Sequence, residues 1–184
     1  MKPGEVLAVL EKAGELIEVS GKVSDEALAG IAYESGKVTK NAVFVAACGA
    51  NADGHDFIPE ALKKGASLVL CEKRDAYEVY KAAYPERCFA LAGSSRRALA
   101  LASAAFFGYP AEKLTLIGLT GTKGKTSTSF MIKSLLEAAG HPTGLIGTTG
   151  IYYGTQYEYI DNSTPESFEL HRIFAAMVQS GIRY

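Results

Sequence analysis

From Gly118 to Ser127 the chain reads Gly-Leu-Thr-Gly-Thr-Lys-Gly-Lys-Thr-Ser, a cluster of glycines, lysines and hydroxyls suited to holding an anion. Glycines let backbone N–H groups turn inward around a phosphate, and a helix starting just behind them adds the partial positive charge of its unpaired donors. Lys125 stands where an ammonium would meet the β and γ phosphates of a nucleotide, and Thr126 where a hydroxyl would reach Mg²⁺. The common phosphate-loop pattern puts a glycine at the position of Leu119. Here the flanking glycines are Gly118 and Gly121, so the loop is a variant, Thr-Gly-Thr-x-Gly-Lys-Thr. The bland alternative is a glycine-rich turn with a solvated lysine; the apolar run before the loop and the amphipathic segment after it favour phosphate binding.

Those flanks are the elements that must position the loop. Leu114–Leu119 is expected to be the leading strand, and a helix over Lys125–Ala139, stopped by Gly140, follows. A strand Thr143–Thr148 comes next, then Ile151–Ile160 with a turn at Gly154. The last helix carries the stripe Leu170, Ile173, Phe174, Met177 and Val178. Its start is specified in two ways. Thr164 as N-cap puts Pro165 at the first helical position, and Ser163 as N-cap puts Glu166 at the third, completing a capping box. A phosphate-loop domain needs a parallel sheet and an acidic residue to hold Mg²⁺. Only about two strand–helix repeats of roughly 30 residues fit after Leu114, and neither Asp161 nor Glu166 is placed as that acid. The second unit is therefore expected to be incomplete, with a new strand due at Gly181–Tyr184.

The first half alternates helix and strand. A short helix carries Val6, Leu7, Val9, Leu10 and Ala13, with Gly14 at its end; strands are expected at Leu16–Val19, Leu28–Tyr33 and Val43–Ala47. The segment Gly49–Phe57 is too rich in loop formers for a core element. After it come a helix Pro59–Lys64, a strand Leu68–Cys71, a helix Arg74–Ala83, a strand Cys88–Leu91 and a helix Ser95–Phe107, the last ended by Gly108-Tyr109-Pro110. Gly108–Lys113 reads as the linker. The fold class is α/β, with a small domain over 1–109 and the start of a phosphate-loop domain over 110–184.

Composition narrows the classes. With 48% hydrophobic and 21% charged residues the 184-residue chain reads as a globular protein. A net charge of -1 argues against bulk nucleic-acid binding. The longest apolar run, Ala98–Phe107, is about half of the roughly 20 residues a membrane helix needs, and no secretory signal is visible. A cytoplasmic monomer acting away from membranes is expected. Cys48, Cys71 and Cys88 form no C-x-x-C pair and read as reduced thiols.

The phosphate loop Thr120–Thr126, followed by Thr143-Gly144-Leu145-Ile146-Gly147-Thr148 and then by Asn162-Ser163-Thr164-Pro165, resembles the Mur ligases of peptidoglycan synthesis. The match is best to the branch that adds a diamino acid to UDP-N-acetylmuramoyl-L-alanyl-D-glutamate. The surroundings of His55 and the Ser-x-Lys-Val of Ser35–Val38 are similar to that branch's N-terminal domain. The resemblance implies a uridine-nucleotide-binding domain, a central ATPase and a C-terminal domain, of which this chain matches the first and the opening of the second. It implies that Gly121, Thr122, Lys123, Gly124, Lys125, Thr126 and Ser127 cradle ATP, with Lys125 neutralising the migrating γ-phosphoryl group and Thr126 ligating Mg²⁺. It further implies that Asn162, Ser163 and Thr164 contact the UDP-muramoyl dipeptide, and that Tyr33, Ser35, Ala50, Asn51 and Ala52 contact its uridine nucleotide. Where the family commonly has Asp-Ser-Arg, this chain has Glu34-Ser35-Gly36, so a guanidinium is absent there; Lys123 stands where Asn is frequent. The family's catalytic glutamate, carbamylated lysine and C-terminal domain have no counterpart, and the chain alone is not expected to complete the reaction.

Two other classes stay open: a module that binds a UDP-sugar or nucleotide without turnover, and an unrelated phosphate-loop kinase or NTPase. Among the remaining polar residues, His55 reads as a structural hydrogen-bonding group of its loop. His141 and His171 read as surface residues, and Arg96-Arg97 as a solvated face.

Overall fold

Three short apolar runs, Ala42–Val45, Leu68–Cys71 and Cys88–Ala92, are buried along their whole length, as strands covered on both faces must be. The computed structural model describes residues 1–49, 52–159 and 164–184. The chain divides into two compact units, Met1–Phe106 and Phe107–Tyr184.

In the first unit the elements run α1 (Pro3–Lys12), β1 (Leu16–Ser20), β2 (Gly30–Ala32), β3 (Ala42–Val45), α2 (Ile58–Lys63), β4 (Leu68–Cys71), α3 (Arg74–Ala83), β5 (Cys88–Ala92) and α4 (Ser95–Phe106). They build one five-stranded sheet in the order β1-β5-β4-β3-β2. Strands β2 to β5 pair in parallel, and β1 closes the edge antiparallel to β5. Side chains alternate across a strand. Phe44, Val69 and Phe89 accordingly share one face, where they pack with Ile58 and Leu62 of α2 and Tyr77 of α3. On the opposite side α1 packs against α4. Parallel pairing brings the residues that follow β2, β3, β4 and β5 to one edge of the sheet, the carboxyl edge, where open α/β sheets form their clefts.

The second unit begins with a 3₁₀ turn, Pro110–Lys113, and contains α5 (Lys125–Ala138), β6 (Leu145–Gly147), β7 (Gly150–Tyr153), β8 (Gln156–Glu158) and α6 (Ser167–Gln179). Its core joins Ile151, Ile173, Met177 and Ile182. The expected hairpin with Gly154 at its turn forms as β7 and β8.

Three expectations change here. Leu114–Leu119 is extended but is not a sheet strand: Leu114 N–H closes the preceding turn onto the Ala111 carbonyl at 3.3 Å, Thr115 N–H donates to the Arg183 carbonyl at 2.7 Å, and Leu116 and Ile117 are 54% and 52% exposed. Second, the described strands of this unit form no parallel sheet; the order β6-β7-β8 is antiparallel. The physical reason is the connection. Thr148 and Thr149 alone join β6 to β7, and a parallel crossover needs about a dozen residues. The segment 182–184 bonds to both sides, to Thr115 and, through Arg183 N–H to the Pro142 carbonyl and Gly144 N–H to the Tyr184 carbonyl, to the approach of β6. Third, α6 starts at Ser167 and not at Thr164. Glu166 is the N-cap in extended conformation, and its carboxylate accepts from the Ser167 N–H at 3.0 Å. Proline biases its predecessor away from helix, and the cap falls on the first carboxylate beyond it, which accepts from the N–H that follows.

Among the described residues no helix is long and apolar enough to cross a membrane. Phe44 lies at the centre of the first unit with no exposed surface. Replacing it with alanine is expected to cost roughly 3–5 kcal/mol through lost burial and a residual cavity, read as a large fall in denaturant midpoint with an unchanged slope.

Candidate functional site

The first turn of α5 receives no side-chain cap, because its N-cap is Gly124, held at φ +82. That backbone conformation favours glycine, and a glycine has nothing with which to cover the N–H groups ahead of it. Uncapped donors at a helix start are a ready site for an oxyanion. Lys125, at the first helical position, curls back so that its ammonium donates to the Gly121 carbonyl. The Thr126 hydroxyl is exposed and lies 3.4 Å from the Thr148 hydroxyl at the end of β6. The loop from Thr120 to Thr128 is exposed throughout, Gly121, Thr122, Lys123 and Ser127 included.

A cavity of about 440 Å³ opens beside this loop and is lined by Lys125, Thr126, Thr148, Thr149, Thr164 and Pro165 among others. Thr164 is thereby brought to the same space as Lys125 and Thr126. Asn162 and Ser163 lie outside the described residues. No aspartate or glutamate appears among the described residues lining the cavity. Mg²⁺ keeps several waters and takes one or two protein oxygens together with substrate phosphates, and the Thr126 hydroxyl fits that donor type. Thr148 closes the Thr143–Thr148 segment that carries the resemblance, but its approach to Thr126 depends on where β6 ends and had no signal in the sequence.

In the first unit the carboxyl edge gathers the other expected residues. Tyr33 and Ser35 follow β2, and Ala52 lies in the loop after β3. Ala50 and Asn51 lie outside the described residues. The Ser35 hydroxyl donates to Glu60 at 2.8 Å, and the Lys64 ammonium donates to the Ser35 carbonyl at 2.8 Å. Lys64 first, and Ser35 second, hold the Glu60 carboxyl below its ordinary range. The Lys37 ammonium lies 5.8 Å from the centre of the Tyr33 ring and pairs with the Glu34 carboxylate at 2.8 Å.

The loop after β3 is closed by backbone bonds and held at its far end by Asp53 and His55. Gly49 N–H donates to the Ala52 carbonyl at 2.9 Å, and Gly54 N–H donates to the Ala47 carbonyl at 3.0 Å. A Cβ on Gly54 would stand 2.6 Å from that carbonyl oxygen, so only glycine permits the approach. Asp53 accepts from the His55 N–H at 3.1 Å and pairs with His55 Nδ1 at 2.6 Å and with the Lys73 ammonium. Lys73, and after it His55, hold the Asp53 carboxyl well below the usual range. The His55 ring is 3% exposed, and its Nε2 accepts from the backbone N–H groups of Glu72 at 3.2 Å and Lys73 at 3.3 Å. The structural part expected of His55 is therefore what the ring performs.

Cys48, Asp53 and His55 present their ligand atoms within 4.8 Å of one another, which invites a metal. The protonation pattern argues otherwise. His55 Nε2 already accepts two N–H groups, so the ring proton sits on Nδ1 and faces Asp53, and the Lys73 ammonium takes the cation's place on that carboxylate. Cys48, with Glu72 beside it and partly buried, is pushed up to about 11 and stays a thiol. Cys71 and Cys88 are buried free thiols.

Comparison with known proteins gives two family matches. Residues 27–105 match the Mur ligase family, catalytic domain, and residues 119–184 match the Mur ligase middle domain. The UDP-N-acetylmuramoyl-L-alanyl-D-glutamate--2,6-diaminopimelate ligase of Clostridium tetani is 44% identical over 154 residues, covering 84% of this chain and 31% of its own length. The ligase of the same name from Chlorobium phaeobacteroides is 38% identical over 175 residues, covering 95% of this chain and 32% of its own length. This chain thus spans about a third of the curated relatives it matches. A solved structure of a ligase with the same name aligns over 99% of this chain and 34% of its own, with a TM-score of 0.73 at 19% identity. MurF from Acinetobacter baumannii aligns over 81% of this chain and 29% of its own, with a TM-score of 0.54 at 22% identity. At these identities the two structures speak to the fold alone.

The lowered Asp53 carboxyl sets a pH dependence. Its unfolded value is about 3.9, so its ionised form adds stability that is complete above that pH and lost as the pH falls through the lower folded value. Asp53→Asn is expected to lower the melting temperature at pH 7, with the gap to the unsubstituted protein closing on acidification below about pH 4. A gap constant from pH 7 to pH 2 would contradict this.

Proposed function

We propose, because the chain belongs to the Mur ligase family, that it is the substrate- and ATP-binding part of a ligase that joins a diamino acid to UDP-N-acetylmuramoyl-L-alanyl-D-glutamate. In this reading the first unit holds the uridine nucleotide at its carboxyl edge, through Tyr33, Ser35 and the loop of Ala50, Asn51 and Ala52. The second unit binds ATP with Mg²⁺. Its phosphates sit on the backbone of Gly121–Thr126, with Ser127 beside them, and Asn162, Ser163 and Thr164 face the muramoyl dipeptide. The observation that carries the reading is the uncapped, glycine-started helix α5, whose Lys125 and Thr126 open on one cavity with Thr164.

The chemistry follows from those groups. A carboxylate is a poor acyl donor because its oxygen is a poor leaving group. Its oxygen attacks the γ phosphorus of ATP, the bond to ADP breaks, and an acyl phosphate forms. The amine of the incoming amino acid then attacks the acyl carbon, inorganic phosphate leaves, and the nitrogen loses a proton to give the amide. Phosphoryl transfer of this kind rests on positioning and charge neutralisation more than on a protein nucleophile. Lys125 would leave the Gly121 carbonyl to balance the transferring group. The Thr126 hydroxyl would help hold Mg²⁺, whose chemistry there would be to neutralise phosphate charge. The relatives are named for 2,6-diaminopimelate, and we propose the same amino acid here, with the work done in the cytoplasm.

One observation favours a second reading, binding without turnover: the cavity shows no carboxylate among its described lining. Calorimetric titration separates the parts. The chain is expected to bind ADP with Mg²⁺, and Lys125→Ala to weaken that by roughly 10- to 100-fold, the scale of a lost hydrogen bond to a charged group. UDP-N-acetylmuramoyl-dipeptide should bind equally to both proteins. Absence of binding by either ligand would overturn the reading.

A further inference from the structure

Each ring nitrogen of His55 has a different task, and the two tasks join different parts of the first unit. On one side Nδ1 donates to Asp53, 2.6 Å away, and the same carboxylate takes the Lys73 ammonium. Asp53 and Cys48 are bridged across the mouth of the loop that leaves β3, with the Gly49 to Ala52 bond just inside it. On the other side Nε2 accepts the N–H groups of Glu72 and Lys73, which form the junction from β4 into α3. The network continues. The Glu72 carboxylate accepts from both the N–H and the hydroxyl of Ser95, at 2.9 and 2.8 Å, at the start of α4. Three neighbouring strand ends, those of β3, β4 and β5, are therefore tied together through one buried imidazole and one carboxylate.

Much of this investment goes beyond what the core requires. The apolar faces of β3, β4 and β5 are packed without it, and the network sits at the carboxyl edge, beyond the last ladder bonds. A loop of small residues, Gly49 and Ala52 among them, has almost no side chain with which to fix itself. Such a loop can present its backbone to a ligand only if its ends are held from outside.

We infer that His55 is a positioning residue for the nucleotide end of the substrate: as a neutral ring with its proton on Nδ1, it holds Cys48, Gly49, Ala52 and Asp53, at the two ends of the loop after β3, against the β4–α3 junction and so sets those ends for the ligand. The inference rests on the assignment of this edge to the UDP substrate made above. Both nitrogens are needed. Asparagine places an amide near Nδ1 and keeps the half toward Asp53, while glutamine places one near Nε2 and keeps the half toward Glu72 and Lys73.

The test uses the whole 184-residue chain with UDP-N-acetylmuramoyl-L-alanyl-D-glutamate and, separately, ADP with Mg²⁺ as probes. His55→Ala is expected to weaken the UDP ligand by roughly 10- to 100-fold, the scale of a misplaced binding element. The affinity for ADP should stay unchanged. Amide exchange should quicken at Glu72 and Lys73, while Phe44, Val69 and Ala90 stay protected, which separates positioning from loss of the fold. His55→Gln should keep Glu72 and Lys73 protected yet still bind the UDP ligand weakly, and His55→Asn should bind weakly with those amides exposed. Unchanged UDP affinity in His55→Ala overturns the inference, as does full affinity in either single-sided variant. Loss of protection at Phe44, Val69 and Ala90 assigns His55 to the fold and overturns it as well. Failure of the unsubstituted chain to bind the UDP ligand sinks the site assignment itself, and the inference with it.

Discussion

A helix that starts on glycine leaves its first N–H groups without a side chain to take them, and the second unit is arranged around that constraint. Gly124 can hold φ +82 where another residue would be strained, and it cannot cap. The positive end of α5 therefore faces outward, and the Lys125 ammonium folds onto the Gly121 carbonyl. Neighbouring elements hold the opposite wall. The Tyr152 and Tyr157 hydroxyls both donate to the Thr149 carbonyl, at 2.9 and 3.3 Å, which fixes the turn that carries Thr148 toward Thr126. Phe130 of α5 meets Tyr152 edge-on, ring centres 5.4 Å apart, and so ties the helix to the same turn. Anion binding at this loop would replace an internal lysine–carbonyl bond with a stronger charge-assisted one.

The first unit solves a related problem with different means. A parallel sheet places all its outgoing loops at one edge, and short loops of small residues cannot order themselves. Here the ordering comes from polar groups paired with one another: the buried His55 between Asp53 and two backbone donors, and Glu72 against the buried Ser95. Such networks are costly when half satisfied and specific when complete. That is why the same cluster which looks like a metal site by residue type serves as an internal latch by hydrogen-bond geometry.

Much of this was legible in the residues. The strands expected at Val43–Ala47, Leu68–Cys71 and Cys88–Leu91 formed as β3, β4 and β5; Gly154 marked its hairpin; the glycines and Lys125 marked the phosphate loop. The misplaced elements share a cause. Leu114–Leu119 has the composition of a strand, but pairing is a property of neighbours, and beyond the local turn at Ala111 the described residues offer it a single backbone bond, to Arg183. The two capping patterns at Ser163 and Thr164 are local rules, and Pro165 with Glu166 moved the helix start to Ser167. The partners of His55 Nε2 and of Thr126 lie 17 to 22 residues away, at Glu72, Lys73 and Thr148, so no local pattern could name them. Chemistry written into one loop is readable, while chemistry assembled between loops waits for the fold.

The most direct test of the account asks whether the loop backbone itself takes the phosphates. Residue-resolved amide hydrogen exchange over Gly121–Ser127, with and without ADP and Mg²⁺, reads those N–H groups one by one. Marked slowing at Gly124, Lys125, Thr126 and Ser127 is expected on adding the nucleotide. Nucleotide binding with exchange in this loop unchanged would contradict it.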